Sequence, residues 1–179
     1  MPFSERKVTE AAGYLLRLSR GRQFHMKLLK LLYIADRRAL ANWGFFLSAD
    51  SHVSMEYGPV LSNTYNLIKG QRKGEFWQSH ISSRAQNEVH LLKDTSTDTL
   101  SRAEERLLDE VFAEFGDVET FELSEMTHSQ FPEWRDPGKS RIPISPREIL
   151  QAQNVPDEEI RDILQDLRVS ENVERALGD

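Results

Sequence analysis

Five histidines and one misplaced carboxylate are the side chains in this sequence whose types and positions could do chemistry. His52, His80 and His90 each stand opposite the apolar residues of a segment that alternates in polarity. If those segments pair, the three imidazoles gather on the open face of a sheet, as metal ligation would require. Their spacing matches no metal-ligand signature, so solvated polar positions and no metal are expected. His25 precedes a long helical pattern and reads as a capping or solvated residue. His128 ends a short helical segment just before an aromatic stretch containing Trp134. The helix dipole favours a histidine there; a general acid–base role would need a facing group, and only Ser124 and Asp117 are near in sequence. No G-x-S-x-G elbow, G-x-x-x-x-G-K loop or G-x-G-x-x-G turn occurs, and the chain has no cysteine. Nothing calls for a cofactor or argues for an enzyme.

The carboxylate is Asp36. Plotted at about 100° per residue, Met26–Trp43 separates into two faces. Leu28, Leu29, Leu32, Ala39, Leu40 and Trp43 share one; Lys27, Lys30, Arg37, Arg38 and Ala41 share the other. Asp36 projects from the middle of the apolar face, where an ionised acid is costly unless donors meet it. The expected donors are the free N–H groups of Val60, Leu61 and Ser62, at a helix read as opening on Pro59, with Tyr57 or an arginine nearby. The basic face is the one candidate for nucleic acid. No aromatics interleave it and no helix-turn-helix is legible, so DNA binding is not expected.

The elements that must position these groups follow from periodicity. Ser4 caps a helix running to Leu18, stopped by Ser19-Arg20-Gly21-Arg22; the central helix ends at Gly44. Val53, Met55 and Tyr57 alternate with polar residues, marking a half-buried strand. Phe76–Ser83 and Asn87–Lys93 alternate too, separated by a hairpin-sized Arg84-Ala85-Gln86. Ser101-Arg102-Ala103-Glu104 is a capping box opening a helix to Gly116. A short helix over Thr120–His128 carries Phe121, Leu123 and Met126. Irregular chain from Phe131 to Pro143 leads to short helices starting at Ser145-Pro146 and Pro156, and Ser170–Asp179 adds a turn or two or frays. The expected fold is α+β and mainly helical, with about six helices and a small antiparallel sheet of about three strands.

Composition places the chain among folded globular proteins: 39% hydrophobic and 29% charged over 179 residues, one ordinary domain with a real core. No apolar run is long enough for a membrane span, the start does not read as a signal peptide, and the lack of cysteine fits a cytoplasmic location. The net charge of −6 is uneven: +6 over residues 1–43, −1 over 44–99 and −11 over 100–179. Internal pairing of the basic and acidic parts, or two surfaces for different partners, would account for it.

Lys27-Leu28-Leu29-Lys30-Leu31-Leu32-Tyr33-Ile34-Ala35-Asp36, Met55-Glu56-Tyr57-Gly58-Pro59-Val60, Leu107-Leu108-Asp109-Glu110-Val111, Leu123-Ser124-Glu125-Met126-Thr127-His128 and Pro132-Glu133-Trp134, in that order, resemble the Panacea domain of SocA-like and phage-associated antitoxins. The resemblance implies a Panacea-like domain over 1–150, with 151–179 an acidic helical extension packed on it. It also implies structural roles for Asp36, Tyr57, Gly58, Pro59, Val60, His128 and Trp134. The implied function is an antitoxin that neutralises a cognate toxin by direct protein–protein binding. A SocA-like proteolytic adaptor working with a cellular protease, or a phage or mobile-element regulator, is the alternative, and a hydrolase using His128 is a third. Candidate contact surfaces are the polar sheet face, the basic helix face and Phe131–Trp134, with Lys27, Lys30, Arg37, Arg38, Tyr65, Trp77, Trp134 and Arg135 as candidate anchors.

Overall fold

The computed structural model describes residues 3–82 and 85–177. Helix α2 (His25–Trp43) runs through the middle, touching α1 (Glu5–Leu18), α5 (Arg102–Phe115), α6 (Thr120–Gln130) and α7 (Pro146–Ala152). Its sequence is rich in leucine and alanine with no internal glycine or proline, and it ends where Gly44 turns left-handed at φ 75°. Ser4 caps α1, and capping boxes at Ser101/Glu104 and Ser145/Glu148 open α5 and α7. Helix α8 (Asp157–Leu177) packs against α7, with Ile160 buried and Ile163, Leu164 and Leu167 partly so.

Two small antiparallel sheets flank this bundle. Strand β2 (His52–Met55) lies between β3 (Gly58–Leu61) and β5 (Ile142–Pro143); β1 (Arg22–Phe24) pairs with β4 (Glu88–His90). Helices α3 (Ser62–Ile68) and α4 (Glu75–His80) complete the chain. The fold is thus α+β with small antiparallel sheets, as expected. Among the described residues it has eight helices and five strands rather than about six and three.

The two further strands, β1 and β5, lie where a helix stop and irregular chain were expected, and two other segments change type. Phe76–Ser83 was expected to be a strand, yet Glu75–His80 is helical. Trp77 and Ile81, four apart, share a face in either geometry, so alternation alone does not decide. A tertiary contact does: the Glu5 carboxylate accepts from the Trp77 N–H at 2.8 Å and caps α4 from another helix. Beyond it, Ile81 bridges Leu91 and Ala85 bridges Glu88 around a turn where Gln86 and Asn87 have positive φ; Ser83 and Arg84 lie outside the described residues, as do Gly178 and Asp179 of the expected C-terminal turn. Secondly, Pro59 does not open a helix. Gly58 pairs with Met55 across a two-residue Glu56-Tyr57 turn, so Pro59 sits in β3 and α3 begins at Ser62. The open N–H groups of α3 go to Asp50, which accepts from Asn63 N and Thr64 N at 2.8 Å each.

The basic first third pairs with the acidic last part of the chain. Lys7 meets Glu104 at 2.6 Å, Arg37 meets Glu133 at 2.7 Å and Arg38 meets Glu114.

Candidate functional site

Side chains from α2, α6 and the segment after α6 converge on the β2–β3 turn. Its backbone is held from several sides. Pro59 O accepts from Lys30 Nζ (2.8 Å), Tyr57 O from Ser124 Oγ (2.7 Å) and Met55 O from Trp134 Nε1 (2.9 Å), while Ser54 Oγ accepts from Arg135 N (3.2 Å). The Trp134 ring stacks on His128, centroids 4.0 Å apart. Gly58 is the tightest point. Its φ is +101°, and a Cβ there would stand 2.5 Å from Thr127 Oγ1 and 2.6 Å from Lys30 Nζ. A left-handed position with no room for a methyl admits only glycine. Gly58→Ala is expected to cost ~2–3 kcal/mol, read as a lower urea midpoint at unchanged slope; a wild-type midpoint would show that the turn yields.

In front of the turn lies a cleft of ≈ 540 Å³, walled by α2, the β2–β3 turn, α3 and the start of α6. Three exposed aromatics surround it: Phe24 (44% exposed), Tyr57 (56%) and Phe121 (65%). Met26, Leu29, Met55, Val60 and Tyr65 give it apolar walls, and Glu56, Lys69 and Glu119 are charged groups of its lining. Lys30 belongs to the floor with no exposed surface. Burial, with no carboxylate paired to it among the described residues, pushes the Lys30 ammonium down to about 7. His128 is also pushed below the usual imidazole range, by burial first and by the Lys30 charge, against Glu125 and Asp136.

The remaining candidates fall elsewhere, and several expectations are corrected. Asp36 does not meet Val60, Leu61 or Ser62. It is fully buried and accepts from Ser48 N (2.7 Å) and Ser48 Oγ, with His52 Nε2 at 2.9 Å. His52 is therefore no solvated residue: it is buried against Asp36, Tyr33 and Phe46. His80 is buried at the end of α4, its Nδ1 2.8 Å from Phe76 O, whereas His90 is half-exposed beside Glu88. Among the described residues no group of three or more His, Asp or Glu is gathered as metal ligands would be. The basic face of α2 is not a surface either, because α2 is covered on nearly every side. Lys27 is buried and donates to Gly116 O and Val118 O (2.6 Å), burial lowering its pKa. Arg37 is bound to Glu133 and lies over Phe131, and Arg38 is paired with Glu114. Trp77 is buried in the core away from the cleft, and Arg135 pairs with Glu148 at 2.8 Å. Of the proposed anchors, Tyr65 and Lys30 line the cleft.

Phe24 and Phe121 are the residues that sequence reasoning missed. Phe121 was grouped with Leu123 and Met126, yet it is exposed where Leu123 is buried. Its flanks, Glu119 and Glu122, were the available signal, since a lone aromatic between acids in a short helix has little reason to be core. Phe24 stands among Arg22, Gln23 and His25, between a helix stop and the central helix, where no element was assigned.

No helix among the described residues is long and apolar enough to cross a membrane. Neither curated proteins nor solved structures give a match to this chain. The family described as antitoxin SocA-like, Panacea domain, matches residues 28–135, well over half of the sequence. That span contains Lys30, the β2–β3 turn, Thr127, His128 and Trp134, the groups that build the clamped turn. This chain belongs to the SocA-like Panacea domain family of antitoxins.

Proposed function

We propose that this protein is an antitoxin that neutralises a toxin by binding it directly, and that the toxin docks on the cleft in front of the β2–β3 turn. One observation carries the choice of surface: Phe24, Tyr57 and Phe121, three large exposed aromatics from three separate elements, border one concavity. Exposed aromatics gathered at an apolar hollow are what protein interfaces use as anchors. Residues 1–150 act as the binding unit in this reading, and 151–179 as an extension on it.

The test is co-expression with the protein encoded by the adjacent gene. The antitoxin reading requires that this chain rescue growth and co-purify with that protein. Tyr57→Ala combined with Phe121→Ala is expected to weaken the complex by at least about tenfold, measured by titration calorimetry, with the thermal midpoint of the free protein nearly unchanged because both side chains are exposed. Unaltered affinity moves the interface elsewhere. Toxin levels that fall on co-expression, rather than toxin held in a stable complex, replace simple neutralisation with delivery to a protease.

A further inference from the structure

Residues 100–179 hold twenty acids against nine bases, so any concavity in this part of the molecule should be lined with carboxylates. The surface where α8 meets α7 is the reverse. A hollow of ≈ 350 Å³ is lined by Arg147 of α7 and Arg161 and Arg168 of α8, with Gln165 and Asn172 and, among the described residues, no acid. It adjoins a second hollow of ≈ 710 Å³ that shares Arg147, Leu164 and Arg168. The one acid in the second lining is Asp50, whose two oxygens are already taken by Ser51, Asn63 and Thr64.

All three arginines are exposed, and none makes an ion pair or hydrogen bond among the described residues. Arg6, Arg17, Arg37, Arg38 and Arg135 pair with acids, while Arg20, Arg22, Arg102, Arg106 and Arg141 do not among the described residues; what sets these three apart is that they line one hollow together. Three unpaired guanidiniums around one hollow repel one another unless an anion joins them, and a guanidinium fork matches phosphate oxygens two at a time. The neighbouring hollow is of a different character. Phe45, which is partly exposed, Phe46, Pro143, Ile144, Leu164 and Leu167 give it apolar walls. A cationic pocket opening into an apolar one fits a ligand that is polyanionic at one end and flat and apolar at the other. Both volumes lie in the usual range for small-molecule sites. The strong negative charge of the surrounding chain repels any polyanion, so the ligand that fits is one small enough to sit against the three arginines inside the hollow.

We infer that this junction is a binding site for a nucleoside di- or triphosphate, with the phosphates held by Arg147, Arg161 and Arg168 and the base placed against the Phe45–Phe46 side. The site is remote from the aromatic cleft in its residues and does not depend on the toxin reading.

The test uses the full chain and four probes, ATP, GTP, inorganic triphosphate and adenosine, followed by calorimetry and ³¹P NMR. ATP or GTP is expected to bind in the micromolar range, at least tenfold tighter than either inorganic triphosphate or adenosine. Arg147→Ala and Arg168→Ala, at exposed positions with no partner among the described residues, should each weaken nucleotide binding about tenfold while leaving the circular dichroism spectrum and melting temperature unchanged. No nucleotide binding at millimolar concentration overturns the proposal. So does triphosphate binding as tightly as ATP, which leaves the apolar hollow without a role. An oligoglutamate peptide or a short DNA duplex that displaces the nucleotide and binds more tightly also overturns it, in favour of a macromolecular partner.

Discussion

Lys30→Met should remove most of the rise in stability that the wild-type protein shows between neutral and alkaline pH. The unfolded chain holds the lysine proton up to about 10.5, whereas burial lowers the folded value to about 7. Below pH 7 both states are protonated and the fold carries the full cost of a desolvated ammonium. Between pH 7 and 10.5 only the unfolded state binds that proton, so stability climbs with pH. At about 1.4 kcal/mol per pKa unit the climb is roughly 5 kcal/mol. Methionine fills a similar volume and does not titrate. It leaves the Pro59 carbonyl without its lysine donor, a loss of ~1–3 kcal/mol. The variant is therefore expected to be the more stable protein at pH 6 and the less stable one near pH 10, with the curves crossing between. Urea unfolding at a series of pH values reads this directly. Parallel curves for the two proteins would mean that Lys30 keeps its proton in the fold.

Asp36→Ala is expected to destabilise by ~3–5 kcal/mol. The carboxylate is the shared acceptor of the Ser48 N–H, the Ser48 hydroxyl and His52, all buried. Removing it strands three donors where water does not reach. It also frees the segment after α2, because Ser48 Oγ in turn accepts from Asp50 N at 3.0 Å, and Asp50 caps α3. Asp36→Asn, which keeps one acceptor oxygen, should fall between wild type and alanine. Denaturant midpoints of the three proteins test the order; an alanine variant within about 1 kcal/mol of wild type would mean that the donors find other partners.

Local rules read well from the sequence, and rules that depend on distant partners did not. Ser4, Gly44, Ser101 and Ser145 mark helix ends by their own chemistry, and each does so in the structure. That Asp36 must be satisfied was also legible. Its partners were not, because nothing in the spacing of Asp36, Ser48 and His52 shows that a loop folds back over α2. The same limit explains α4, whose cap is Glu5, seventy-two residues earlier. The basic stripe of α2 misled for a related reason. A stripe of cations is usually solvated, but here carbonyls of Pro59, Gly116 and Val118 and the acids Glu114 and Glu133 close over it. The cleft was half-legible: Tyr57, Gly58, Val60 and Tyr65 were singled out, while Phe24 was not and Phe121 was grouped with the buried Leu123.

Tyr57 stands on a turn whose backbone, at Met55, Tyr57 and Pro59, is fixed by side chains from the segment after α6, α6 and α2, yet its phenol ring touches open water. Such an arrangement uncouples the identity of a tip from the integrity of its stem. Replacing the ring by another side chain leaves every anchoring bond in place, since those bonds end on main-chain atoms. Position 57 can therefore drift during evolution, or be randomised in a library, at little cost to folding. If the proposed antitoxin reading holds, Phe24, Tyr57 and Phe121 are three positions whose side chains can change without disturbing the frame that presents them.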